Sequence, residues 1–236
     1  MKKPTDMKKN LPFLSLCLIL IISVSCSHKV YKAPDFEEKT FDHKLVAVLP
    51  AEMIFTGKQQ KNLTPEDIAR IEEQESEDFQ RALYNSILNH ANDGRYETTV
   101  NFQDINTTMR LLEENNISAR DSWKMSNDEL EKVLGVDAVV KMRIQKQRYM
   151  SDQASYGISV AKSVIYRTGV GSRIPVPNVP EKTNDIYASC NLVKAGQTLW
   201  HDNYKYASDY NNPANEIIEG ITNNFGEHFP YKRKRR

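Results

Sequence analysis

With 236 residues, 32 basic against 31 acidic side chains and a net charge of +1, the chain is long enough for one self-supporting domain and has no basic field of the kind nucleic acid requires. Its three cysteines, Cys17, Cys26 and Cys190, are too few for a disulfide framework, so the fold has to stand on its own core.

The amino-terminal stretch has the three parts of a secretory signal. Lys2, Lys3, Lys8 and Lys9 form a cationic region, residues 11–22 an apolar run, and Ser23, Val24 and Ser25 a small-residue site before Cys26. Met7 opens a second complete cationic region, MKKNLPF. The apolar run is shorter than the ~20 residues of a spanning helix, which disfavours a permanent transmembrane segment. Val24, Ser25 and Cys26 resemble a bacterial lipobox, with Ser23 where leucine is usual. That resemblance implies a diacylglyceryl thioether on Cys26 and an acylated (palmitate-type) amino terminus, which hold the chain to a membrane. Each buried CH₂ contributes roughly 0.8 kcal/mol, so two or three chains anchor firmly where one is marginal. The alternative is a plain secretory signal with an incidental cysteine. Ser27 after the cysteine goes, in enterobacterial lipoproteins, with sorting to the outer membrane, so the implied location is the cell envelope, facing the periplasm.

On this reading residues 1–25 are a lipoprotein signal peptide, 26–43 a lipidated tether, 44–231 an α/β domain of periplasmic type and 232–236 a basic tail. Loss of the four signal lysines and Asp6 leaves 28 basic and 30 acidic side chains, and Cys190 is then the one free thiol. Residues 27–43 are polar with no sustained period.

KLVAVLP at 44–50 predicts a buried strand ended by proline, followed by a loop over 51–63. Thr64-Pro65-Glu66-Asp67 is a helix start, and Ile68, Ile71, Phe79, Leu83 and Ile87 carry the helix to about Ala91 before Asn92-Asp93-Gly94 stops it. Its acidic side (Glu72, Glu73, Glu75, Glu77, Asp78) reads as a solvated face, with a partner-binding face as the alternative. Tyr96, Thr98 and Val100 alternate as a second strand, and residues 104–114 form a helix with Ile105, Met109 and Leu112 inward. Ser126 and Glu129 make a capping box for a short helix closed by Gly135. In the strand at 137–145, Ala138, Val140, Met142 and Ile144 share one face, opposite Val139, Lys141 and Arg143. Residues 156–166 fit strand or helix equally, and 169–184 is a Gly/Pro-rich loop. Residues 185–207 form a hairpin about Lys194-Ala195-Gly196-Gln197. Asn212 is expected to cap a last helix with Pro213 at its first position and Ile217, Ile218, Ile221 and Phe225 as its buried stripe.

This order, with VAVLP at 46–50, LGVDAVVK at 134–141, GQTLW at 196–200 and FPY at 229–231, resembles the TolB amino-terminal-like lipoproteins, a group that includes the curli-export protein CsgG and the penicillin-binding-protein activator LpoB. The resemblance covers about residues 44–231. It implies a mixed β-sheet covered by helices, in two or three layers, and action by assembly and contact, with no catalytic residues and no cofactor.

The residues themselves offer little chemistry. His28, His43, His90, His201 and His228 have no metal-ligand spacing. His201-Asp202 are strand neighbours and point to opposite faces, which disfavours a dyad. GVGSR at 169–173 lacks the Lys-Ser/Thr of a phosphate loop. Cys190 alternates with Ile186, Ala188 and Leu192 and reads as a buried thiol. Trp200, Tyr204 and Tyr206 are either half-buried sheet aromatics or a sugar or peptide platform. The KRKRR tail is a solvated terminus or a contact for anionic lipid. The expected function is therefore a lipid-anchored, non-enzymatic interaction or assembly module with a protein partner in the envelope, in export or cell-wall machinery. An envelope hydrolase or sugar-binding enzyme using residues 169–202 is one alternative. A subunit of a homo-oligomeric export pore is another.

Overall fold

The computed structural model describes residues 30–57, 64–151, 182–209 and 211–235, together with Ser159. The signal with Cys26, the stretch 156–166 and the Gly/Pro-rich loop with GVGSR lie outside the described residues.

Three long antiparallel strands form the spine: β6 (Ala138–Arg148), β7 (Asn184–Lys194) and β8 (Gln197–Ser208). The β7–β8 turn places Ala195 at φ 45° and Gly196 at φ 74°, the two left-handed residues of a primed hairpin turn. Two shorter strands, β2 (Leu45–Val48) and β3 (Glu52–Gly57), run parallel to β6 along its other side, one after the other. The sequence reads residues 51–63 as loop; the structure differs over 52–57. Pro50 has no N–H and interrupts the ladder, but Leu49 N still donates to Val140 O at 3.0 Å, and Glu52 resumes pairing opposite Arg143. Met53 and Phe55 then face the core with period two.

The long helix α2 (Pro65–Ala91) opens with a reciprocal capping box between Thr64 and Asp67 and buries Phe79, Leu83 and Ile87, one turn apart. After it come β4 (Tyr96–Thr98), β5 (Asn101–Phe102), which joins β2 in parallel, and three short helices, α3 (Ile105–Glu114), α4 (Ala119–Lys124) and α5 (Asn127–Leu134). α5 ends on Gly135 at φ 66°, ψ 38°, a left-handed cap. The last helix, α6 (Ala214–His228), starts after Pro213 without a side-chain cap. Asn212 Oδ1 accepts instead from Asp209 N at 3.1 Å and closes the preceding turn, which corrects its expected capping role.

Helices cover both faces of this mixed sheet. On one face α2 and α6 lie side by side, and Phe79, Leu83, Ile221 and Phe225 share a buried cluster with Val140, Met142, Cys190 and Trp200. On the other, α3 and α5 bring Leu112, Leu130 and Leu134 onto Ala47, Val139 and Val193, but only at one end of the strands.

Both termini of the domain depart from expectation. Within the expected tether, β1 (Tyr31–Lys32) pairs antiparallel with β8, α1 (Phe36–Lys39) follows, and Phe36 and His43 are buried. The segment lacks an apolar period because it is held by isolated side chains and by the open edge of β8. The expected basic tail contains β9 (Lys232–Lys234), which pairs with β4 and sets Arg233 Nη2 2.6 Å from Glu97. The folded unit thus reaches beyond residues 44–231 at both ends.

Candidate functional site

Side chains alternate across a strand, so the half of the second face that α3 and α5 leave uncovered is built from every other residue of β3, β6, β7 and β8. Register sets Glu52, Arg143, Ser189 and Asn203 in one row and Lys141, Asn191, His201 and Tyr31 in the next. Glu52 and Arg143 form an ion pair. α4 walls one side: Trp123 Nε1 donates to Pro50 O at 3.1 Å, and Lys141 Nζ donates to Met125 O at 3.2 Å. Between them lies a cleft of ≈ 400 Å³ floored by Arg143, Ser189, Asn191 and His201. Half-burial holds the Lys141 amine below its ordinary pKa, against the pull of Glu52. Asn191 and His201 also line a second, more open hollow of ≈ 570 Å³ beyond β8, bounded by Tyr31, Asp35 and Lys39.

At the far end of the same face Asp185 is buried beneath polar partners. Lys182 Nζ lies at 3.0 Å, Lys205 Nζ at 3.2 Å, and Tyr149 OH donates at 3.1 Å. Burial alone would raise the carboxyl's pKa; the three donors bring it below the usual carboxylate range. Lys205 also stands 4.8 Å over the Tyr187 ring, and Tyr187 and Tyr149 are two of the few large apolar side chains left exposed.

The groups singled out in the sequence go elsewhere or to structural tasks. His201 sits on the open face between Asn191 Oδ1 at 2.6 Å and Asn203 Nδ2 at 2.7 Å. Asn203 donates to Nε2, so Nδ1 carries the hydrogen given to Asn191. Asp202 points to the opposite face, fully buried, 3.2 Å from His228 Nδ1. His201 and Asp202 are therefore not a dyad. His43 is buried against Tyr231, and Lys194 Nζ donates to its Nε2 at 2.8 Å. Burial and then the Lys194 charge lower its pKa and keep it neutral. His90 lies in the last turn of α2. Among the described residues no cluster of histidine, cysteine and carboxylate side chains could hold a metal ion.

Trp200 is buried edge-on to Phe229, 5.4 Å between ring centres, and Tyr204 and Tyr206 pack on the same core, so the three form no open platform. The exposed aromatics of the site are Tyr149, Tyr187 and Tyr31, which sequence reasoning passed over; their one signal is a tyrosine on the polar side of a strand pattern. Cys190 is wholly buried, and burial, with Asp202 beside it, pushes its thiol pKa far up. A maleimide is expected to label the native domain at Cys190 slowly and the denatured chain fast; fast native labelling would contradict this burial.

No protein-family model and no curated protein matches the chain. Among solved structures it is similar to the lipoprotein GNA1162 from Neisseria meningitidis, at 12% identity over 75% of this chain and 92% of that one, with a TM-score of 0.41. It is also similar to the PelC dodecamer from Paraburkholderia phytofirmans, at 8% identity over 85% and 94%, with a TM-score of 0.40. A third is the LpoB C-terminal domain from Salmonella enterica, at 11% identity over 75% and 93%, with a TM-score of 0.35.

Proposed function

We propose that the chain is a cell-envelope protein anchored through acyl chains on Cys26, outer-membrane bound and facing the periplasm, and that it works by contact with a partner protein as a non-enzymatic interaction or assembly module. The observation that carries the contact role is the half of the sheet face that no described helix covers. It combines Arg143, paired with Glu52, with the exposed tyrosines Tyr31 and Tyr187, residue types enriched at the anchors of protein interfaces. The non-enzymatic reading is supported by where the reactive side chains are committed: His201 between two asparagines, His43 between Lys194 and Tyr231, and Cys190 in the core. The anchor rests on residues 11–26, and no described helix is long and apolar enough to cross a membrane. The likeness of VAVLP, LGVDAVVK, GQTLW and FPY to TolB amino-terminal-like proteins fits action by assembly.

The test uses the full chain in cells with a photo-crosslinking residue at position 187. One discrete protein adduct is expected. Its yield should fall several-fold with Arg143→Ala, and no equivalent adduct should form from position 73 on α2. Cys26→Ala should abolish palmitate incorporation and free the protein from carbonate-washed membranes. Adducts of equal yield from both positions, or none from position 187, would remove the contact surface; a Cys26→Ala protein that still pellets would remove the anchor.

A further inference from the structure

The folded part of the chain begins much closer to Cys26 than its sequence suggests. Four peptide units separate Cys26 from Val30, and fully extended they span at most about 14 Å. Val30 packs against the core, and Tyr31 at once pairs with His201 on the outer edge of β8. If the acyl chains hold Cys26 at a lipid surface, this edge of the sheet has to stay within that short distance of it.

From this edge the chain turns through α1 toward the β7–β8 turn, where Asp42 lies 3.7 Å from Lys194, and it displays aromatic side chains on the way. Tyr31 is 48% exposed and Phe41 is 92% exposed, the highest value among the exposed large apolar residues. The turn that presents Phe41 is well held: Thr40 Oγ1 donates to Phe36 O at 2.8 Å, and His43 N donates to Thr40 O at 3.1 Å. The charges beside it compensate one another, Lys32 with Glu37 at 2.6 Å and Lys39 with Asp35 at 2.7 Å. These two pairs are neutral, and exposed Glu38 adds one negative charge to the segment. Tyr31 suits the headgroup level through its apolar body and polar tip, and Phe41 is an apolar group of the kind buried at the headgroup/acyl boundary.

We propose that the surface formed by residues 31–41, from the β1 edge through α1 to the turn at Phe41, lies against the lipid surface that holds Cys26, with Phe41 seated at the interface. This rests on the acyl-anchor reading above. The contact fixes the orientation of the domain, takes up the Tyr31 border of the open face, and leaves the part around Arg143, Tyr187 and Lys205 to meet a partner.

The test uses full-length acylated protein carrying Phe41→Cys, labelled with the polarity-sensitive fluorophore NBD and bound to vesicles of phosphatidylethanolamine and phosphatidylglycerol. Cys190 is buried and Cys26 is blocked by its lipid, so position 41 is the reactive thiol. A Glu73→Cys protein, labelled on α2 beside the opposite edge of the sheet, is the reference. Nitroxide-labelled lipid should quench the fluorophore at position 41 roughly threefold more strongly than at position 73, with blue-shifted emission, as expected for a group seated ~5–10 Å into the interface. Vesicle flotation with equal quenching at both positions overturns the proposal and leaves the anchor standing. Failure to float overturns both. A shift at position 41 that follows protein concentration and not lipid identifies a second copy as the occupant and also overturns it.

Discussion

Phe225→Ala is expected to cost about 3–5 kcal/mol, the range for truncating a buried aromatic residue, out of a total on the order of 5–15 kcal/mol. Phe225 is wholly buried on α6, with Ile221 one turn earlier and Phe229 one turn on. These side chains occupy the space between α6, α2 and the sheet that carries Val140, Cys190 and Trp200. Removing the ring leaves a cavity whose walls are rigid elements on three sides, which cannot collapse to fill it. Thermal unfolding of the domain from residue 27 onward should show a large fall in midpoint. An unshifted curve would mean that the helix is not docked on the sheet.

The neighbouring residue gives the second large effect, through excess volume. At Gly226 the α6 backbone touches α2 so closely that a Cβ would lie 2.8 Å from Ser86 C and 2.9 Å from Ser86 O, besides striking Ser86 Oγ. Real Cβ atoms are not found at such distances from backbone, so one helix has to move. Gly226→Ala should therefore destabilise by about 2–3 kcal/mol, toward the upper end of overpacking, although alanine is the better helix former by about 1 kcal/mol. Gly220, two turns earlier on the same helix, is the internal control. A Cβ there would meet only the Tyr206 ring, at 3.1 Å, and a ring edge can give way. Chemical denaturation of the two variants in parallel should show Gly220→Ala close to the parent and Gly226→Ala well below it. A neutral or stabilised Gly226→Ala would contradict the close approach of the helices.

The elements legible in the sequence were those whose signals are local. Thr64 with Asp67, Ser126 with Glu129, Gly135, and Ala195-Gly196 each act within a few residues, and all four stand where the pattern puts them. The alternation of Ala138, Val140, Met142 and Ile144 likewise names the core face of β6. Elements that exist only through distant partners were not legible. β3 needs Arg143 to Arg148 beside it, β1 needs Trp200 and His201, and β9 needs Tyr96 to Thr98. α4 is a capped segment of six residues, too short to show a period, held by Trp123 to Pro50 and by Arg120 to Glu72. The candidate site was invisible for a related reason. Lys141, Arg143, Tyr187 and His201 each look like the polar side of a strand, and only the register makes them one surface.

The way the ends of the chain meet also sets an order on folding. The opening segment of the domain finds its partners in β8, Lys194 and Tyr231: Ala33 N donates to Leu199 O at 2.9 Å, and His43 is locked between Lys194 and Tyr231. Those partners lie far along the chain, Lys194 at 151 and Tyr231 at 188 residues beyond His43. Contacts so distant in sequence must await loop closure over most of the chain, which slows their formation. The opening residues of the domain thus settle late, and until β8 has formed, the chain between Cys26 and any folded core is longer than in the finished molecule. A chain interrupted before Leu199 would lack the strand on which Tyr31, Lys32 and Ala33 settle and would keep that longer leash.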